Sequence, residues 1–82
     1  MTQYTIKTTR SEADQIQNGT KSFVFRSDRK PYRAGDIVSF LVYDRQKPVR
    51  HTIDKMKFVI TYTSTDSPVR DGFMVIGFRR MS

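Results

Sequence analysis

Gly19-Thr20-Lys21-Ser22-Phe23-Val24-Phe25-Arg26, closed nine residues later by Gly35-Asp36, carries the reading of this chain. Asn18-Gly19 supplies the left-handed stop of a preceding helix, and Lys21 to Arg26 alternates as a strand does. Phe23 and Phe25 fall on one face of that strand, with Ser22, Val24 and Arg26 on the other. Pro31 and Gly35 punctuate a polar turn. Ile37-Val38-Ser39-Phe40-Leu41-Val42-Tyr43 is then apolar and β-branched enough to read as the buried central strand.

Upstream of this stretch, Tyr4 and Ile6 alternate with Thr5 and Lys7, the period of a short first strand. Ser11-Glu12-Ala13-Asp14 offers an N-cap serine with an acid three residues on, and Ala13, Ile16 and Gln17 follow at helical spacing, so a helix is expected over 11–18. Downstream, Asp44 to Arg50 is charged and contains Pro48, which predicts an exposed loop or hairpin. From His51 to Thr63, Met56, Phe58, Ile60 and Tyr62 alternate with Lys55, Lys57, Val59 and Thr61, which predicts one long strand with a dry and a wet face. Thr63 to Pro68 breaks it, and Phe73 to Phe78 forms the last strand before Arg79-Arg80. All six phenylalanines are expected in the core. About five strands and one short N-terminal helix within 82 residues give a mainly β (α+β) fold. A single domain over 1–82 is expected, a small curved sheet closing into a β-barrel with the helix plugging one end.

The chain has no cysteine, which excludes disulfides, thiolate metal sites and cysteine nucleophiles. It opens without an apolar signal core, and no run approaches a membrane span, so a cytoplasmic protein without membrane contact is expected. On the same ground the sequon Asn18-Gly19-Thr20 carries no glycosylation. The formal charge of +7 is concentrated: residues 21–57 hold ten Lys or Arg against four Asp. Such an excess favours a polyanionic partner, nucleic acid first and an acidic protein second, over a merely solubilising surface. Gly19-Thr20-Lys21-Ser22 is not a phosphate loop, because Asp14 occupies the position of the first glycine and Thr20 separates Gly19 from Lys21.

Gly19-x-Lys21-x-x-Val24-x-Arg26, preceded by a short helix and followed by the Gly35-Asp36 turn into an apolar strand, resembles the activating signal cointegrator homology (ASCH) domain of the PUA-like superfamily. Val59-Ile60-Thr61-Tyr62 and Gly72-Phe73-Met74-Val75-Ile76 fit the closing strands of small single-domain bacterial and phage members. The resemblance implies a compact barrel with a cleft beside the GxK strand and a role in binding RNA or a modified nucleotide. Some ASCH-like proteins are amidohydrolases that remove the acetyl group of a modified cytidine, in which a lysine near the motif works with a threonine and a glutamate. The fuller motif GxKxxExR has glutamate where this chain has Val24, and no carboxylate elsewhere in the segment obviously replaces it.

The expected binding residues are Lys21, Arg26, Arg29 and Tyr32, with Arg33, Lys55 and Lys57 assisting electrostatically. Lys21 reaches out from a strand end, and Arg26 offers a planar fork for phosphate or for an internal pair with Asp28 or Asp36. Tyr32 among Arg29, Lys30 and Arg33 combines a ring with cations, as single-stranded nucleic-acid sites do, or else covers one end of the barrel. On the hydrolase reading, Lys21 would act with Thr20 or Ser22 as helper. His51, three residues before Asp54, lacks the further ligands of a metal site and the positioned serine of a triad. No metal or cofactor is expected.

Overall fold

The central apolar run is β3 (Ile37–Asp44), and the rest of the domain is arranged around it in a computed structural model that describes residues 2–27, 30–66, 69 and 72–81. The order along the chain is β1 (Gln3–Thr9), α1 (Arg10–Gln17), β2 (Phe23–Arg26), β3, the two-residue β4 (Lys47–Pro48), a 3₁₀ turn (Thr52–Lys55), β5 (Phe58–Ser64) and β6 (Met74–Arg80). Across the sheet the strands run β1-β3-β5-β6-β2, with β4 paired to the end of β3. β1 and β3 are parallel, from Gln3 opposite Ile37 to Thr9 opposite Tyr43. The other pairings are antiparallel. The sheet curls into a half-barrel whose outer strands are β1 and β2.

Its interior is apolar. Phe40, Phe58 and Phe78 meet with ring centroids 5.3–5.4 Å apart in tilted and edge-to-face contacts. Ala13 and Ile16 of α1 and Ile53 of the 3₁₀ turn close the core from one side. Tyr32 closes it from another. Its ring is 4 % exposed and lies 4.6 Å from that of Tyr4, whose hydroxyl donates to the Pro31 carbonyl at 3.3 Å.

Five expectations need correction. The helix begins one residue earlier than expected: Thr9, not Ser11, is the N-cap, its Oγ1 accepting from Glu12 N at 3.2 Å. In β2 the faces are reversed. Val24 is buried opposite Ile76, and Phe23 and Phe25 point outward opposite Gly77 and Val75. Alternation fixed the period of β2, but pairing with β6 sets its phase. Nor is 51–63 one strand. His51 Nδ1 accepts from Ile53 N at 3.0 Å, and Asp54 Oδ2 accepts from His51 N at 3.0 Å, a reciprocal cap that folds 52–55 into the 3₁₀ turn. Within β5, Ile60 pairs with Phe78 and Tyr62 with Gly77, so Thr61 is a bulge and Tyr62 leaves the dry face. Of the six phenylalanines, Phe40, Phe58 and Phe78 are buried and Phe73 is half-buried. β5 continues through Ser64, so the break expected over 63–68 starts later than Thr63, and Ser67 and Pro68 lie outside the described residues.

The loop after β3 is a hairpin, with Asp44 opposite Lys47. Its two central residues, Arg45 and Gln46, have φ of 51° and 67°. That is the backbone of a type I′ turn built from residues without the usual Asn or Gly.

Candidate nucleic-acid interface

The helix stop of the opening motif sets the site. Gly19, at φ +84°, turns the chain back along α1, and Asn18 Oδ1 accepts from Thr20 N at 2.9 Å. Lys21 N then reaches the Gln15 carbonyl at 3.1 Å. This reversal lays the Lys21 side chain against the first turn of the helix, where its Nζ donates to Glu12 Oε2 at 2.7 Å. The other oxygen, Oε1, accepts from the buried Thr8 hydroxyl at 2.8 Å. Burial pushes the Glu12 pKa up, but hydrogen bonds from Lys21 and Thr8 and the charges of Lys21 and Arg26 outweigh it. The net result is a carboxyl held below its ordinary value of 4.5.

Lys21 stands between two depressions. One, about 560 Å³, is shallow and holds Thr8 and Glu12 between Lys7, Tyr43 and the hairpin residues Arg45 and Gln46. The Lys7 ammonium sits 5.2 Å from the Tyr43 ring centroid. The second, about 300 Å³, has a floor of Ile16, Phe58 and Phe78 and a rim that includes Lys21, Ser22, Arg79 and Arg80. An apolar floor under a cationic rim suits a flat heterocycle carrying phosphate, and the volume lies at the lower end of small-ligand clefts. Lys57 is at this end too, its carbonyl accepting from Met81 N at 2.9 Å.

The structure thus gathers Lys21 and Ser22 at one groove with Lys57 near its β6 end. Arg26 is half-buried at the end of β2, where its charge acts on Glu12. Thr20 is exposed in the turn. Arg33 is an exposed loop residue whose N–H donates to Asp36 Oδ2 at 3.2 Å, and Lys55 lies exposed in the 3₁₀ turn. Tyr32 is corrected: its ring is packed in the core and is not presented to a base. Arg29 and Asp28 lie outside the described residues. Asp36, the other partner considered for Arg26, accepts from Thr2 N at 3.1 Å as well as from Arg33 N.

Sequence reasoning missed Thr8 and Glu12, and with them a carboxylate beside Lys21. Glu12 had a sufficient explanation as a helix-start acid. Its contact with Lys21 spans nine residues and two elements, so no periodicity announces it. It also missed Arg79 and Arg80, for which the signal was available in the paired cations at the end of the last strand. His51 is explained structurally: its Nε2 lies 2.7 Å from Asp14 Oδ1, tying the 3₁₀ turn to α1. Among the described residues no three His, Cys, Asp or Glu side chains are grouped to hold a metal ion.

A family described as a domain of unknown function, DUF3850, matches residues 3–78. The chain belongs to the DUF3850 family. The DUF3850 match runs from the start of β1 into β6 and takes in Thr8, Glu12, Lys21 and Ser22, while Arg79 and Arg80 follow directly after it. No curated protein matches the chain. Among the described residues no helix is long and apolar enough to cross a membrane.

Proposed function

We propose that this DUF3850 domain is an ASCH-like, PUA-like module that binds RNA or a modified nucleotide in the groove beside the Gly19–Lys21 turn that leads into β2. The observation that carries this reading is the convergence of Lys21, Arg79 and Arg80 on the rim of a groove floored by Ile16, Phe58 and Phe78. Phosphates would lie against the rim cations and a base against the apolar floor. The concentration of positive charge in residues 21–57 supports it by drawing a polyanion to this half of the chain. Lys21 is a shared group: its pairing with Glu12 orients the ammonium at the rim while reducing its net field, so Arg79 and Arg80 carry more of the attraction.

Binding of a labelled short oligo(U), followed by fluorescence anisotropy over a salt series, tests this. Affinity should fall with salt, with a slope of about −0.7 for each phosphate neutralised. Arg79→Ala and Arg80→Ala should each reduce the slope by about that amount. Absence of binding at low salt, or affinity that ignores salt, overturns the reading.

The Thr8–Glu12–Lys21 cluster favours a second reading, an ASCH-type amidohydrolase acting on an acetylated nucleoside. The carboxylate absent at position 24 would be provided by Glu12, and the threonine by Thr8 in place of Thr20 or Ser22. Water would add to the amide carbonyl as Glu12 takes its proton, Lys21 would stabilise the oxyanion, and the proton would pass to the departing amine. The lowered pKa of Glu12 makes it a weak base, which is why binding is the first reading. Acetate release from acetylated cytidine, lost in Lys21→Ala and Glu12→Gln, is the expected result of this chemistry, and no turnover by the unmodified protein sinks it.

A further inference from the structure

Three aromatic side chains that the core could have absorbed stand together outside it. Phe23, Phe25 and Tyr62 are 36 %, 54 % and 51 % exposed. They occupy one face of three neighbouring strands, because Phe23 on β2 and Tyr62 on β5 are both partners of Gly77 on the strand between them. Gly77 has no side chain of its own on that face. The Tyr62 ring occupies the space that a Cβ there would need, so it lies across β6 toward Phe23. Phe25 meets Phe23 edge to face with centroids 5.7 Å apart. Cations border this aromatic row. The Lys21 ammonium is 5.5 Å from the Phe23 ring centroid, and Arg79, two residues beyond Gly77 and exposed, shares its face of β6.

We infer that the outer face of β2, β6 and β5 is a stacking platform for the bases of a single-stranded nucleic acid, with Lys21 and Arg79 holding adjacent phosphates. This rests on the nucleic-acid reading above and extends it from the groove onto the sheet. Rings offer their faces to any unpaired base, so the platform tolerates sequence but requires single strands, since a duplex hides its base faces. Charge decides the occupant. A second copy docked here by a two-fold axis would bring Lys21 and Arg79 against the same cations, whereas a polyanion neutralises them.

The test compares a labelled oligo(U) with an abasic phosphodiester oligomer of equal length, using the full chain and the variants Phe25→Leu, Tyr62→Leu and Arg79→Ala. Phe25 and Tyr62 are exposed enough for these changes to leave the core intact, which retained near-ultraviolet circular dichroism would verify. Each lost ring should weaken oligo(U) binding about tenfold and leave the abasic oligomer unaffected. Arg79→Ala should weaken both ligands. If the ring variants bind oligo(U) like the parent while Arg79→Ala weakens it, the platform is overturned and the groove reading stands. If the parent binds neither oligomer, both fall together. If the parent instead forms a dimer that Phe25→Leu dissociates, the face is an interface between copies and the platform is overturned.

Discussion

Arg45 and Gln46 hold left-handed backbone without glycine's freedom, which costs on the order of 1 kcal/mol at each position. Replacing them with the residues this turn prefers, as Arg45→Asn with Gln46→Gly, should raise stability by about 1 kcal/mol, read as a shift in denaturant midpoint at constant m-value. These two side chains border the depression that holds Thr8 and Glu12, so strain here maintains a charged and a polar side chain at its margin. Glu12 makes the other residue-scale prediction. Its folded pKa is depressed, so its contribution to stability is present above the ordinary carboxylate value of 4.5 and is lost as pH falls through the lower folded value. Glu12→Gln should therefore be less stable than the parent at neutral pH and should lose less on acidification. Denaturant midpoints measured from neutral pH to below 4.5 should converge for the two proteins at the acidic end.

At the scale of elements, the 3₁₀ turn depends on one side chain. His51 caps it through Nδ1 and reaches Asp14 on α1 through Nε2. His51→Ala should cost about 1–2 kcal/mol, a loss seen in thermal or chemical unfolding, and faster amide exchange should be confined to 51–56 and the facing turn of α1. The strands show what local pattern can and cannot decide. β3 was legible because seven consecutive residues from Ile37 to Tyr43 leave no other use for them. The stop at Gly19 was legible because few residues accept that backbone. β2 was legible as a strand but not in phase: Val24 and Phe25 are both apolar, and only the register with Ile76 and Val75 says which faces inward. The split of 51–63 was hidden because Met56, Phe58 and Ile60 keep the period of a strand through a cap made by side chains. The candidate site was legible at Lys21 and Ser22, whose local motif names them. Glu12, Thr8 and Arg79 join it through tertiary contacts that no spacing records.

For the whole molecule, the sheet order leaves β1 and β2 as its outer strands, and beside β1 the Tyr4 ring packs against the buried Tyr32. Tyr32 is thereby worth more to this fold as a closing wedge than as a ligand contact. Tyr32→Ala should destabilise by about 3 kcal/mol, a large share of what a domain of this size has, and unfolding midpoints would show it directly. Tyr32→Phe should retain most of that stability, because the ring contact with Tyr4 persists. The charge of +7 acts at the same scale: it speeds encounter with polyanions and loses reach as salt shortens the screening length.

The extra residue at Thr61 has a consequence for how the gene can change. Deleting a codon inside a strand ordinarily turns every later side chain to the opposite face. Here Ile60 already faces Phe78, and Tyr62 already faces the next residue of β6, Gly77. Loss of codon 61 would join two correctly paired halves and leave Tyr62 outward. Loss of codon 60 would keep that register but put Thr61 in the buried place of Ile60, and loss of codon 63 has no such protection. Deletion scanning along 58–64 should find tolerated sites at the bulge, codons 61 and 62, in a strand that otherwise rejects shortening.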